Sequence, residues 1–407
     1  MSKLEELIQE LCPYGVEYKE IKKLAVYRRG SFPQPYTNEA FYGGQGSMPF
    51  VQVADIEDKG FRLKNKTKQT ISKIAQLKSI FVPKGTVICS IQGTIGRVAI
   101  TQYNSYVDRT IAIFEKINDE IDKKFFAYCI ELKFGVEKKI ARGSTLKTIT
   151  KDEFEKFSIP VPPLEVQCEI VRILDKFTLL TAELTAELTT RRKQYEYYRD
   201  FLVSFKNLIH KKRFGDIANI QRGASPRPIS QFITNESNGI NWIKIGDVDT
   251  RAKYITKSKE KITIDGSKKS RKVKKGDFIL SNSMSFGRPY ILAIDGCIHD
   301  GWLSISDFED VFISDFLYYL LNSNDIQNEF RKKASFGGAV QNLNTDIVRG
   351  IELHIPSKDE QQKIINILDR FDKLCNDITS GLPAEIELNN KRYEYYRDKL
   401  LSFKEKK

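Results

Sequence analysis

A chain of 407 residues, 41% hydrophobic, 11% aromatic and 29% charged, is too long for one ordinary core and suits two or three globular domains. Lys and Arg outnumber Asp and Glu by 66 to 53, and the resulting charge of +13 suits a polyanionic partner. Six scattered cysteines without a C-x-x-C pair fit neither a disulfide framework nor a zinc site, and no run of 18 apolar residues offers a membrane span.

The opening MSKLEELIQEL reads as a charged amphipathic segment rather than a signal peptide. With reduced thiols, it implies a cytoplasmic protein. Short β-rich runs follow (FVQVADI, TVICSI, RVAIT), separated by Gly-, Asn- and Ser-bearing turns, with a helical stretch near residues 125–134. Strand signal then stops. From residue 165 to 206 apolar side chains fall three and four apart: Ile170, Leu174, Phe177, Leu180, Leu184, Leu188, then Tyr195, Tyr198 and Leu202. That spacing predicts one long helix with a single apolar seam, entered through Pro162-Pro163. The tetrapeptide TAEL occurs twice in succession at 181–188, nearly one helical turn each time.

A second β-rich segment occupies residues 212–356, with a helical stretch near 314–333, and a second helical segment follows Pro356. Its seam runs through Ile364, Leu368, Phe371, Leu374, Ile386, Tyr393, Tyr396 and Leu400, with a break expected at Ser380-Gly381-Leu382-Pro383. The expected division is therefore 1–163 and 209–356 as mixed α/β domains, with 164–208 and 357–407 as long helices.

The halves are copies. KQYEYYRDFLVSFK (193–206) answers KRYEYYRDKLLSFK (391–404), identical at 11 of 14 positions. Arg29-Gly30 answers Arg222-Gly223, Asp55 answers Asp247, and Gly96-Arg97 answers Gly287-Arg288. This is a tandem duplication.

Chemistry is harder to find. The chain has no G-x-x-x-x-G-K-[ST] loop, no base-holding [DN]-P-P-[YF] tetrapeptide, and only three dispersed histidines. His299-Asp300 reads as packing or nucleic-acid contact, because its counterpart Val107-Asp108 lacks the imidazole that shared acid–base chemistry would need. We expect no catalytic residue and no metal site. What remains is binding: two similar frameworks carrying unlike loops, the way related modules read different sequences. Arg, Asn, Gln and Ser suit base edges. The candidates are Arg28, Arg29, Tyr36, Gln92, Arg97, Asn104 and Ser144 in the first domain. In the second they are Arg222, Arg227, Asn282, Ser283, Arg288, Trp302 and Gln341. The run Lys268–Lys275 reads as a phosphate-facing or solvated loop.

Taken together, the chain resembles the specificity subunit of Type I restriction-modification systems. The resemblance rests on I-x-x-I-L-D-[KR]-F at 170–177 and 364–371, the IPVPPLEVQ and HIPSKDEQQ helix entries, the TAEL units, LPAEIEL at 382–388 and the twofold YEYYRD-x-L-x-SF. It implies two target-recognition domains separated and joined by two long antiparallel coiled-coil helices, with pseudo-twofold symmetry. It also implies a bipartite double-stranded DNA site, two modification subunits carrying S-adenosylmethionine, and restriction subunits using ATP and Mg. This chain would have no cofactor of its own. Helix pairing and subunit docking would fall to Phe177, Leu184, Leu188, Tyr195, Tyr198, Leu202, Phe371, Tyr393, Tyr396 and Leu400. The competing readings are a coiled-coil scaffold without sequence-specific DNA binding and a self-contained methyltransferase.

Overall fold

The strand runs of each half hydrogen-bond into two larger sheets, beside two-stranded pairings, and the strands the copies share keep the same order. The structure, a computed structural model, describes residues 3–140, 154–204, 211–248, 252–282, 286–337, 340–377 and 379–406. Its contacts divide the chain into one unit of Met1–Thr185 with Glu385–Lys407 and a second of Ala186–Ala384. Each unit thus combines a globular part with half of each helical segment, so the helical segments are not separate bodies.

In the first unit an antiparallel sheet runs in the order Ala25–Arg29, Ile111–Ile117, Val87–Ser90, Val98–Ile100. A second sheet runs Gln69–Ile71, Met48–Val51, Ser105–Val107, Phe81–Val82, with Met48–Val51 and Ser105–Val107 parallel. The second unit repeats the first order as Asn219–Arg222, Trp302–Ser306, Phe278–Ser281, Pro289–Leu292 and adds Tyr254–Ile255 at the edge. Its other sheet places Ile240–Ile243 parallel to Gly296–Ile298, so Val51↔Val107 answers Ile243↔Ile298. Val87–Ser90 and Phe278–Ser281 are buried at all four positions, as strands covered on both faces must be. The turns repeat too. Gly96 and Gly287 have φ of +77° and +71°, and each faces an aromatic ring (Phe134, Phe330) where a Cβ would intrude.

The first helix spans Leu164–Ser204, 41 residues or ~60 Å of rod. The second segment is broken: Lys358–Asn376 and Leu382–Leu400, 19 residues each. Ser357 opens it with a capping box, its backbone N–H donating to Glu360. At the break Asp377 accepts from the Thr379 N–H and from the hydroxyls of Thr379 and Ser380, which holds its carboxyl well below the usual range. Gly381 passes so close to Lys373 O and Asp377 O that a Cβ would lie 2.5 and 2.8 Å from them. Any larger residue would push the chain out of this turn.

Helix halves pair inside each unit, with partner numbers running in opposite order. In the first unit Phe177 stacks on Tyr396 (5.4 Å), and Asn389 donates to Phe177 O and Thr181 Oγ1, both at 2.8 Å. In the second, Tyr198 stacks on Phe371 (5.6 Å) and Arg192 donates to Cys375 O. These are the same aromatic pair with the repeats exchanged, which is why YEYYRD is written twice. Tyr195 and Tyr393 are the better-buried tyrosines of each hexamer, whereas Tyr198 and Tyr396 stay 42% and 39% exposed. Leu180 and Leu374 were expected on the seam, but they are exposed; the backbone-directed amide of Asn389 and the buried Cys375 lie between the helices instead. Leu184, Leu188, Leu202 and Leu400 are half-buried.

Each helix is also fastened to its globular part by one glutamine that periodicity did not single out. Gln167 accepts from Asp122 N–H (2.7 Å) and donates to Glu120 O and Pro162 O. Gln361 accepts from Ile313 N–H (2.8 Å) and donates to Val311 O and Pro356 O. Both are fully buried. Among the described residues no helix is long and apolar enough to cross a membrane.

Candidate nucleic-acid interface

Part of the candidate set gathers at one place in each unit, beginning where the first strand of each framework ends in glycine. Gly30 N–H donates to Ile111 O and Ser31 N–H to Val107 O, drawing that strand end onto the turn around Asp108. Gly223 N–H donates to Trp302 O and Ala224 N–H to Ile298 O, doing the same around Asp300. A Cβ at Gly30 would sit 2.2 Å from Val107 O, and one at Gly223 2.1 Å from His299 O. Only glycine permits this approach.

On the first turn the buried Asp108 carboxylate accepts from Tyr36 Oη (2.6 Å), Thr110 N–H and Thr110 Oγ1. Burial, reinforced by this bond, pushes the Tyr36 hydroxyl far above its ordinary value, so it stays a donor. Arg109 lies 5.5 Å from the Tyr36 ring, and Phe32 stacks beneath it. Arg28 is exposed and paired with Glu115 at 2.7 Å; Arg29 beside it is exposed.

On the second turn Asp300 gathers a larger set. Its carboxylate accepts from Ser225 Oγ and faces His299 Nε2, both at 2.9 Å, with Arg227 at 3.6 Å. Its carbonyl accepts from Arg222 Nε and Asn282 Nδ2. Burial alone would raise its pKa; the Ser225 bond, its own backbone N–H and the Arg222 charge outweigh it and leave the carboxyl below its usual value. Gly301 N–H donates to His299 Nδ1, which occupies the imidazole's lone pair and leaves Nε2–H toward Asp300. Arg271, from the basic run, donates to Arg222 O. Arg222 and Arg227 are exposed beside this turn, and Arg227 is the arginine that faces the Asp300 carboxylate.

The other candidates lie elsewhere. Arg97 donates to Val53 O and Ile56 O and pairs with Asp58 at 2.5 Å, so its fork is spent on its own domain. A cavity of about 260 Å³ beside it is lined by Asp58, Glu131 and Arg397, and Glu131 and Arg397 pair across it at 3.6 Å. Its counterpart Arg288 is half-buried, with its N–H on Ser281 Oγ. Asn104 is exposed and accepts from Lys84 N–H, holding a loop. Gln92 is half-buried. Trp302 corrects the sequence expectation. It is 1% exposed and edge-on to Tyr290 in a strand buried on both faces, a core residue rather than a reader. Asn282 is buried too, and acts here through Asp300. Ser144, Ser283 and the side chain of Gln341 lie outside the described residues. Sequence reasoning missed Arg109, which directly follows the Val107-Asp108 pair it aligned with His299-Asp300, and undervalued Arg271.

Comparison with known proteins places these units among relatives. The family profile described as Type I restriction modification DNA specificity domain matches residues 13–191 and again 208–388. The chain is 36% identical over 264 residues to the Type I restriction enzyme EcoR124I/EcoR124II specificity subunit of Escherichia coli, covering 61% of this chain and 63% of that one. It is 29% identical over 401 residues to the EcoprrI specificity subunit of the same organism, covering 93% of each. Among solved structures, a chain from a study of complex assembly and conformational transition of the type I R-M system matches with a TM-score of 0.65 at 16% identity, over 95% of this chain and 97% of that one. The S subunit from M. genitalium matches at 0.50 and 16%, over 95% and 96%.

Proposed function

Because the chain belongs to the Type I restriction-modification DNA specificity family, whose profile covers both repeats, we propose that it chooses the DNA site for a cytoplasmic complex whose catalysis resides in other subunits. Each recognition domain reads half of a bipartite duplex site, the first through the Asp108 turn and the second through the Asp300 turn. The helices act as an antiparallel coiled-coil spacer between them. The carrying observation is one framework used twice, with Tyr36 and Arg109 on one turn and Arg222, Arg227 and Arg271 on the other.

Two modification subunits, which would bring S-adenosylmethionine, dock on the outer faces of the helices. Tyr197 and Phe201 stack there at 63% and 65% exposure, and Tyr395 is 61% exposed. Restriction subunits using ATP and Mg complete the assembly.

Binding of the chain with its modification partners to a pool of random duplexes tests this reading. Selection is expected to enrich two short motifs separated by unread base pairs, with affinity falling steeply as salt rises. Equal binding to all sequences would return the chain to a protein-interaction scaffold, and methylation by the purified chain alone would make it an enzyme. Arg227→Ala is expected to weaken binding about tenfold and flatten the salt slope by ~1 where it meets a phosphate. If it reads a base, it should relax one position of the second motif and spare the first.

A further inference from the structure

The two repeats join helix to globular part by different means at one equivalent place. In the first unit Tyr128 donates to Asp175 Oδ1 (2.8 Å), and Lys124 Nζ lies 2.6 Å from Asp175 Oδ2. Phe61, 4% exposed, packs edge-on against Tyr128 at 4.6 Å. In the second unit Tyr319 donates to Asp369, repeating the first bond. Duplication aligns Phe61 with Lys253 and Lys124 with Asp315. The backbone agrees: Ile100 N–H donates to Phe61 O, and Ile291 N–H to Lys253 O, both at 2.9 Å.

An apolar plug has therefore become a cation, and the cation has become a carboxylate. Lys253 Nζ lies 2.7 Å from Asp315 and 3.7 Å from Asp369. It also stands 4.8, 5.2 and 5.6 Å from the ring centres of Tyr319, Tyr318 and Tyr254. Tyr254 Oη donates to Asp315 as well. Burial raises all three hydroxyls, Tyr318 to about 12, so the rings stay neutral around the ammonium. The Lys253 side chain is only 15% exposed. Asp369 belongs to helix Lys358–Asn376, Asp315 to helix Ser314–Leu321, and Lys253 directly precedes the edge strand Tyr254–Ile255. One ammonium thus ties three elements. Without it, two carboxylates would face each other in a half-dry site.

We propose that Lys253 is the positioning residue that locks the second recognition domain onto its helix, an electrostatic pin where the first domain uses the apolar plug of Phe61. The proposal rests on the recognition reading above: a domain free to rock on its helix would place its half-site less sharply.

Three variants of the full chain, bound to its modification partners, test it: Lys253→Met, Asp315→Lys and the double Lys253→Phe/Asp315→Lys, which transplants the first unit's arrangement. Two readouts are needed: amide exchange at residues 254–255 without DNA, and binding to duplexes carrying the selected site with its spacer lengthened or shortened by one base pair. Lys253→Met is expected to speed that exchange and to cut the preference for the native spacer by about tenfold, the scale of losing one partner of a semi-buried charge pair. Discrimination within the first half-site should not change. The double variant should recover both properties better than either single change. Unchanged exchange in Lys253→Met, faster exchange with the spacer preference intact, or a double variant no better than Asp315→Lys would each overturn the pin. Failure of the unmodified chain to select any sequence would instead overturn the recognition reading beneath it.

Discussion

A third TAEL tetrapeptide inserted after Leu188 is expected to lengthen the unread spacer of the methylated motif by ~1–2 base pairs and leave both half-motifs unchanged. Four residues add ~6 Å of helix and turn it by only about 40° beyond a full turn, against ~3.4 Å per base pair. The insertion falls between two sets of helix contacts. Thr181 meets Asn389 inside the first unit, and Arg192 meets Cys375 inside the second. Each set can survive intact while the length between them changes. A single alanine at the same place makes the contrast: it turns everything beyond it by about 100°, sending Tyr195 and Tyr198 off the seam, and should abolish methylation. Genome-wide mapping of methyladenine with each variant reads both outcomes. An unchanged motif after the four-residue insertion would show that helix length does not set the gap.

How much of this was legible before the structure depends on what each residue's neighbours are. The duplication was plain because both copies keep the positions that backbone geometry dictates: Gly30 and Gly223 lie against carbonyls, and Gly96 and Gly287 turn with positive φ. The long helix was plain because a 3.6-residue period is visible in one dimension. The break, expected at Ser380–Pro383 and found between helices ending at Asn376 and starting at Leu382, announced itself through Gly381 and Pro383. The side chains that hold the design together gave no such sign. Gln167 and Gln361 sit in helix openings where a polar residue suggests solvent, and only the fold places backbone groups opposite their amides. Arg97 and Arg227 look alike in a turn sequence, yet one is engaged by its own domain and the other is 84% exposed. Trp302 beside His299-Asp300 resembles a surface reader until its strand is seen buried on both faces. Periodicity reports which face a residue occupies; it does not report which carbonyl or carboxylate waits there.

The glutamines carry the other large expected effect. Gln361→Ala would leave Ile313 N–H and the carbonyls of Val311 and Pro356 without their partner at a fully buried position. Each orphaned buried group costs ~1–3 kcal/mol, and water entering the vacated space recovers part of it. A net loss of ~3 kcal/mol from the second unit is the expected outcome. Gln167→Ala should cost the first unit a similar amount through Asp122, Glu120 and Pro162. Gln361→Glu separates lost volume from lost donors: it keeps the shape and the acceptor but gives up the two N–H donors and buries a charge, so it should be at least as harmful. The two glutamines share no partner, so the double variant should lose the sum. Urea unfolding with amide exchange at Ile313 and Asp122 measures this. A cost below ~1 kcal/mol at both positions would mean the helices are fastened by their apolar faces alone, through Ile170 and Leu174 in one unit and Ile364 and Leu368 in the other.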